Sequence, residues 1–283
     1  MINRVALVAH HHRTDAAAHA ATVVAWCDRN GVELSMPEID AAILGLERFG
    51  SNQALDAADL VVSLGGDGTM LRSVELLGGR AVPLIGVNLG SLGYLTEIEP
   101  EAIDASLDRC LKGAEAGEWH LDERMLLDVA VNGELVGRAL NEAVVEKNEP
   151  GHTVRLLARF DGVDFTSYEA DGLIVATPTG STAYSLSARG PIVSPQHRAI
   201  LLTPVSPHML FDRSLVLSPN EVVEIQVAGH RDADLAVDGQ PAGVLTPGDV
   251  VRCSLSSVTA KFVRFGQYRY HQILKTKFGL TDR

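Results

Sequence analysis

Basic residues are in short supply in this chain: 24 Lys and Arg stand against 36 Asp and Glu, a formal net charge of −12. Nucleic acid and anionic membrane both demand a basic footprint, so that balance argues against either as the main partner. An anionic nucleotide would need donors arranged locally. Cysteine is scarce too. Cys27, Cys110 and Cys253 are odd in number, far apart and in no metal-ligand spacing, which speaks against a disulfide framework and for a reducing compartment. No apolar run approaches the roughly 20 residues of a membrane helix. The start, Met1 to Val8, lacks the apolar region of a signal peptide, and the expected location is cytoplasmic. What remains is ordinary for a globular protein: 46% hydrophobic and 21% charged residues in 283, enough for two modest domains with cores of their own.

The stretch that stands out is Leu60-Val61-Val62-Ser63-Leu64-Gly65-Gly66-Asp67-Gly68-Thr69. A buried strand ends in a turn whose glycines allow backbone paths that a Cβ would forbid. Thr69 and Met70 onward read as a helix starting at once, so free N–H groups would face whatever lies above the turn, an arrangement suited to a phosphate. Asp67 is the odd member. A carboxylate beside a phosphate cradle is repelled unless it holds a cation or takes a proton, which makes it a candidate general base or metal-water ligand. The same residues also read as an ordinary turn in which Asp bonds its own backbone.

Taken in order, Arg4 to Ala9 is a short strand, followed by His10-His11-His12-Arg13 and an alanine-rich helix that stops at Asn30-Gly31. Adjacent loop histidines do not converge on one metal as i, i+4 histidines on a helix do, so the triplet reads as a ligand-edge loop sooner than a metal site. Val32 to Leu34 is a second strand candidate, and residues 38 to 59 are weakly patterned. After the glycine turn and its helix, Val82 to Val87 is another buried strand. It runs into Asn88-Leu89-Gly90-Ser91-Leu92-Gly93-Tyr94, a second glycine-rich strand end. Pro100-Glu101 opens a helix with Ile103, Leu107 and Leu111 on one face. Strands alternating with helices predict a Rossmann-like open parallel α/β domain over residues 1–118.

Near Glu118 the pattern changes to strands joined by tight turns. Asn132-Gly133 and Asp161-Gly162 sit between apolar runs, the strongest short-range hairpin signal, and further short strands follow to Leu255. Residues 119–265 are expected to be a β-rich domain, with a C-terminal helix over 266–283 packing back on the first. Three segments interrupt the hairpin rhythm. Leu140-Asn141-Glu142 offers an amide and a carboxylate able to read a ribose or base edge, or to make a polar turn. In Asp171 to Ser187 an apolar strand ends in Thr177-Pro178-Thr179-Gly180-Ser181-Thr182 and turns into a helix expected to begin near Ser181; the segment is dense in hydroxyls and longer than helix capping requires, which suggests a polyol or nucleotide site. Thr203-Pro204-Val205-Ser206-Pro207-His208 is stiffened by proline, with His208 either structural or a ligand contact.

In this order, Gly65-Gly66-Asp67-Gly68-Thr69, the Asn88 to Tyr94 loop, Asn141-Glu142, Asp171 to Ser187, the Thr203 to His208 segment and Val237-Asp238-Gly239-Gln240 resemble the NAD kinases. Gly-Gly-Asp-Gly-Thr alone is shared with lipid kinases and phosphofructokinases; the Asp171 block with the Asn-Glu pair is specific. The resemblance implies transfer of the terminal phosphate of ATP, or of polyphosphate, to the 2′-hydroxyl of the adenosine ribose of NAD. By position, it makes Asp67 the proton acceptor, with Gly65, Gly66, Gly68, Thr69 and Arg72 around donor phosphate. It assigns Asp67, Gly68, Tyr94, Asn141, Glu142, His152, Glu169, Asp171, Thr182, Ala183, Tyr184, Ser185, Leu186, Ser187 and Gln240 to NAD. It also implies magnesium held mainly by donor phosphates, and a homo-oligomer, dimer or tetramer. The His10-His11-His12 loop lacks the asparagine-bearing pattern usual in that family, and two further positions depart from it. Arg189 precedes Gly190-Pro191 where a glycine is common, and Glu169 stands where Arg or Gly is frequent, a position linked to the choice between NAD and NADH. The other classes weighed are a non-catalytic NAD(P)-binding regulator and a lipid kinase of related fold; the acidic balance opposes the second and the intact Asp67 with its glycines opposes the first.

Overall fold

A computed structural model describes residues 2–11, 15–113, 116–266 and 270–280. The chain forms two compact units, Met1–Glu123 with Ala260–Arg283, and Arg124–Thr259.

The first unit is built on apolar runs too short and too uniformly hydrophobic for one-sided burial, the signature of strands covered on both faces. Strands β1 (Arg4–Ala9), β2 (Glu33–Ser35), β3 (Leu60–Gly65) and β4 (Pro83–Asn88) pair in the order β2-β1-β3-β4, all parallel. The last strand of the chain joins the edge, with Lys261 and Phe262 parallel to Pro83 and Leu84. Helices α1 (Ala16–Asn30), α2 (Glu38–Leu44), α3 (Asp67–Leu77) and α4 (Ile103–Lys112) alternate with the strands. Trp26, Val62, Leu64, Ile85 and Leu107 lie in one buried core. Gly31 closes α1 in the left-handed region at φ 66. The weakly patterned stretch holds α2 and a 3₁₀ turn, Glu47–Phe49. Helix α3 begins at Asp67, two residues before the apolar pattern predicts, because Gly66 serves as its cap residue and the Asp67 carboxylate sits in the positive first turn. A C-terminal helix, Tyr270–Lys277, belongs to the same unit; Gln267–Arg269 and Thr281–Arg283, within the span expected to be helical, lie outside the described residues.

The second unit is antiparallel. Its strands are β5 (His120–Val131), which starts in the first unit, β6 (Glu134–Ala139), β7 (Glu142–Lys147), β8 (Val154–Phe160), β9 (Val163–Ala170), β10 (Gly172–Ala176), β11 (Ile200–Val205), β12 (Leu215–Leu217), β13 (Val223–Val227), β14 (Ala233–Val237), β15 (Gln240–Leu245) and β16 (Val250–Arg264), whose end is the strand beside β4. One sheet runs β12-β11-β10-β7-β14-β15, and β16-β13-β8-β9 forms the other layer, with the β5–β6 hairpin beside it. Leu127, Val145, Leu156, Val175, Ile225 and Val251 share one buried core, so inward residues of both layers meet there. The two-residue turns at Asn132-Gly133 (φ 51 and 93), Asp161-Gly162 (φ 50 and 79) and Asp238-Gly239 (φ 47 and 77) have the doubly positive φ that matches strand twist.

The helix expected from Ser181 is only a 3₁₀ turn, Gly180–Thr182, and a single turn α5, Tyr184–Ser187. Its hydroxyls bond elsewhere: Ser181 Oγ takes the Val193 N–H at 3.0 Å and donates to the Val193 carbonyl at 3.0 Å. Side chains that offer the backbone other partners shorten a helix. The fold class is the one the sequence predicts, an open parallel α/β domain and a β-rich domain. Among the described residues no helix is long and apolar enough to cross a membrane.

Candidate active site

In the first unit the glycine turn lies at the carboxyl edge of β3, where open α/β sheets bind ligands. Gly65 is buried, and a Cβ there would strike the side chain of Thr69, so this glycine serves internal packing. Gly66 and Gly68 differ. A Cβ on either would meet nothing within 4 Å, and both have ordinary negative φ, so nothing in the fold requires them to be glycine. They leave the first turn of α3 open at the end where its N–H groups point outward.

Asp67 is held from the next strand-end loop. Its Oδ2 accepts the Tyr94 N–H at 2.8 Å and its Oδ1 accepts the Leu95 N–H at 2.9 Å. Gly93 permits this grip, because a Cβ there would collide with Oδ1 and come within 2.8 Å of Thr96 Oγ1. Each carboxylate oxygen keeps one lone-pair direction for a ligand. The Tyr94 ring stands 6.2 Å from that of Tyr270, and Lys277 Nζ lies 4.8 Å from its centroid. Burial, then the neighbouring Tyr270 and Asp67, raises the Tyr94 phenol above its ordinary value.

Arg72 is committed to other partners. Its guanidinium forks onto Asp40, at 2.5 and 3.0 Å, and reaches the Ala9 carbonyl at 3.2 Å. Asp40, 1% exposed, also accepts the Ala9 N–H at 2.8 Å and contacts His11 Nε2 at 2.9 Å. The end of β1 is therefore tied to α2 and α3. His10 donates its N–H to the Leu64 carbonyl at 2.9 Å, which sets the histidine loop beside the glycine turn; His12 and Arg13 lie outside the described residues. Sequence reasoning did not single out Asp40, since it sits in the weakly patterned stretch and its partners are distant in the chain.

In the second unit, Asn141 and Glu142 are gathered by a clasp. The Asp238 carboxylate accepts the N–H groups of Leu140 (2.7 Å), Asn141 (2.7 Å) and Glu142 (3.0 Å), and its own N–H donates to the Glu142 carbonyl at 2.9 Å. Thr177 completes it by donating Oγ1 to the Leu140 carbonyl at 2.5 Å and N–H to the Asn141 carbonyl at 2.8 Å. Gly180 packs so close to the Asn141 backbone that a Cβ would overlap it. The Asn-Glu pair and the hydroxyl-rich turn thus form one construction. Asp238, part of the Val237 to Gln240 segment that carries the resemblance but given no role there, is its linchpin.

Glu142 is 6% exposed, and its Oε2 has no hydrogen-bond partner among the described residues. Burial, then the Asp238 carboxylate, pushes it up to about 8 against the pull of the Tyr184 N–H. Asp171 pairs with Lys147 Nζ at 2.7 Å. The Tyr184 phenol is raised by burial first, then by Glu146, Asp171 and Glu142, against Lys147. Those charges therefore flank one short segment that includes Thr182, Ala183 and Leu186, all partly exposed, and Ser187, exposed. Ser185 is buried against Thr203, Oγ to Oγ1 3.1 Å. His152, Glu169 and Gln240 are exposed, with Glu169 accepting the His208 N–H through its carbonyl at 2.7 Å.

A carboxylate held by two amides beside an open helix N-terminus, at the carboxyl edge of a parallel sheet, is an arrangement suited to a nucleotide-dependent phosphotransferase. The profile of the ATP-NAD kinase N-terminal domain matches residues 5–115, and that of the ATP-NAD kinase C-terminal domain residues 140–265. The NAD kinase of Geobacter metallireducens is 35% identical over 287 residues, spanning all of both chains. A crystal structure of an NAD kinase from Archaeoglobus fulgidus in complex with ATP superposes with a TM-score of 0.76 at 27% identity, covering 99% of this chain and 100% of that one. Yeast NADH kinase complexed with NADH shares the fold, with a TM-score of 0.88 at 24% identity over 100% of this chain and 89% of that one. The chain belongs to the NAD kinase family.

Proposed function

We propose that the chain phosphorylates the 2′-hydroxyl of the adenosine ribose of NAD from ATP, giving NADP and ADP, with Asp67 as the proton acceptor. The observation that carries this reading is the grip of the Tyr94 and Leu95 amides on Asp67 at the foot of the open Gly66–Gly68 turn. In the reaction the 2′-oxygen bonds the γ-phosphorus, the bond from that phosphorus to the β,γ-bridging oxygen breaks, ADP leaves, and the hydroxyl proton passes to Asp67. A secondary alcohol is a far weaker acid than a carboxyl group, so Asp67 takes the proton as the new bond forms; positioning and charge stabilisation lower most of the barrier. The helix N-terminus and the Gly66 and Gly68 N–H groups supply donors to phosphate, with Gly65 and Thr69 shaping the turn. Arg72 serves the donor side by fixing the β1 loop through Asp40.

Asn141 and Glu142 hold the ribose in this reading. A protonated Glu142 carboxyl, with Oε2 unpartnered among the described residues, can both donate to a sugar oxygen and accept from a sugar hydroxyl. Asp171 faces the adenine or nicotinamide side, Thr182, Ala183, Tyr184, Leu186 and Ser187 line the adenosine region with buried Ser185 backing them, and Tyr94, His152, Glu169 and Gln240 lie at the periphery. Magnesium held mainly by the donor phosphates fits the chemistry, because it keeps several of its waters and asks for few ligands from the protein. When bound, it neutralises developing phosphate charge.

The same reading makes the protein cytoplasmic and a homo-oligomer, a dimer or tetramer. Self-association is supported by an exposed apolar group on the second unit, Val163, Phe165 and Phe211, in which the Phe165 ring is 5.8 Å from that of Phe211. A monomer in light-scattering chromatography at micromolar concentration would contradict it.

The activity is tested by assaying NADP formation from NAD with ATP, with polyphosphate and with no donor. Product with ATP and magnesium is expected. No product with any donor at high enzyme concentration would overturn the reading.

A further inference from the structure

A buried arginine at the far end of the chain reaches the same loop that grips Asp67. Arg264, at the end of β16 and 7% exposed, donates from Nη1 to the Leu95 carbonyl at 3.0 Å and to Glu97 Oε2 at 3.2 Å, and from Nε to Asp122 Oδ2 at 3.2 Å. Glu97 Oε1 in turn accepts the Phe265 N–H at 3.0 Å. One side of the Leu95 residue therefore faces Arg264 while its N–H holds Asp67 Oδ1. The loop between Asn88 and Ile98 has little regular structure to fix it: the Val87–Ile98 bridge closes its ends, and buried Leu89 and Leu95 seat it. The Tyr94–Leu95 stretch, just before that closure, gains a further tether from Arg264, which helps the two amides present the carboxylate in one orientation.

We infer that Arg264, braced by Glu97 and Asp122, is a positioning residue for phosphoryl transfer, setting the orientation of Asp67 through the backbone of Leu95, whose carbonyl it holds and whose N–H holds Asp67. It touches neither substrate nor the reacting atoms. A guanidinium serves because its planar fork meets the Leu95 carbonyl and two carboxylates on different edges, which a lysine ammonium on a flexible stem does not reproduce. The two acids flanking one cation keep that fork from turning away. Transfer chemistry is sensitive to sub-ångström displacement of the acceptor base, whereas substrate affinity, set by other residues, is not.

This inference rests on Asp67 being the proton acceptor, so the experiment carries Asp67→Asn beside the Arg264 variants. Full-length wild type, Asp67→Asn, Arg264→Ala and Arg264→Lys are compared by thermal melt and by steady-state kinetics in NAD and in ATP. For folded Arg264→Ala, kcat is expected to fall by about 10- to 100-fold, with both KM values within about threefold of wild type. Arg264→Lys should fall between the two, and millimolar guanidinium should restore part of the Arg264→Ala rate. Turnover by Arg264→Ala within about twofold of wild type, or a loss of kcat accompanied by an equal rise in both KM values, overturns the inference. Should Arg264→Ala fail to fold, Arg264→Lys decides alone: a lowered kcat at constant KM supports positioning, and a wild-type kcat overturns it. Undiminished turnover by Asp67→Asn would instead remove the base reading on which the inference stands.

Discussion

Glu142 shows how far a local environment moves a single residue. Burial and the nearby Asp238 carboxylate lift it from an ordinary value of 4.5 to about 8, so the folded chain holds a proton at neutral pH that the unfolded chain releases. Folding then takes up a proton between those two values. Stability contributed at this position is full at low pH, falls as pH rises from about 4.5 to about 8, and is level above. A Glu142→Gln variant, neutral at every pH, is predicted to lose that slope, gaining up to a few kcal/mol on wild type between pH 5 and pH 9 in urea denaturation. Identical pH slopes for the two proteins would show that Glu142 is ionised in the fold. Other residues of the site were hidden from sequence reasoning for a physical reason. Asp67 and the Asn141-Glu142 pair announce themselves because the glycines and amides around them are adjacent in the chain. Asp40 and Arg264 act on Arg72 and Leu95, 32 and 169 residues away, and no local pattern reports such a pairing.

The first turn of α3 separates two uses of glycine within one element. Gly65 is needed where Thr69 packs, whereas Gly66 and Gly68 face open space. Gly68 lies inside the helix, where alanine is favoured over glycine by about 0.5–1 kcal/mol. Gly68→Ala is therefore predicted to melt at the same or a higher temperature while its KM for ATP rises about tenfold or more, because the methyl group enters the cradle that phosphate would fill. An unchanged KM for ATP would mean that the turn is only a turn. At this scale the hairpins were plain from Asn132-Gly133 and Asp161-Gly162, since the doubly positive φ demanded by strand twist restricts the residue types sharply. The segment after Pro178 was not. Its helical reading fails because Thr177 bonds the clasp, Ser181 the loop at Val193 and Ser185 the β11 residue Thr203 instead of continuing a helix.

For the whole molecule, the change from alternating strands and helices to hairpins after Glu118 was enough to specify a parallel α/β domain and a β-rich domain, because each pattern buries its apolar face in only a few ways. What the pattern could not carry was the stitching of that architecture: β16 runs from the antiparallel unit into the parallel edge beside β4, and a single long strand gives no sequence mark where its partners change. The family-level identity came from short motifs in fixed order, and the matched relatives extend it over the full chain. An acidic net charge of −12 is compatible with the proposed phosphate ligand, because oriented N–H groups at one turn would meet the phosphate locally.

The central claim is that Asp67 accepts the proton of the ribose 2′-hydroxyl, and single-turnover formation of NADP by Asp67→Asn, measured beside NAD affinity by calorimetry, tests it most directly. Asparagine keeps the shape and can still accept one backbone N–H, but it cannot take the proton. The account predicts a rate at least about 1,000-fold below wild type with NAD affinity changed no more than about threefold. A rate within about tenfold of wild type, at unaltered NAD affinity, would contradict it.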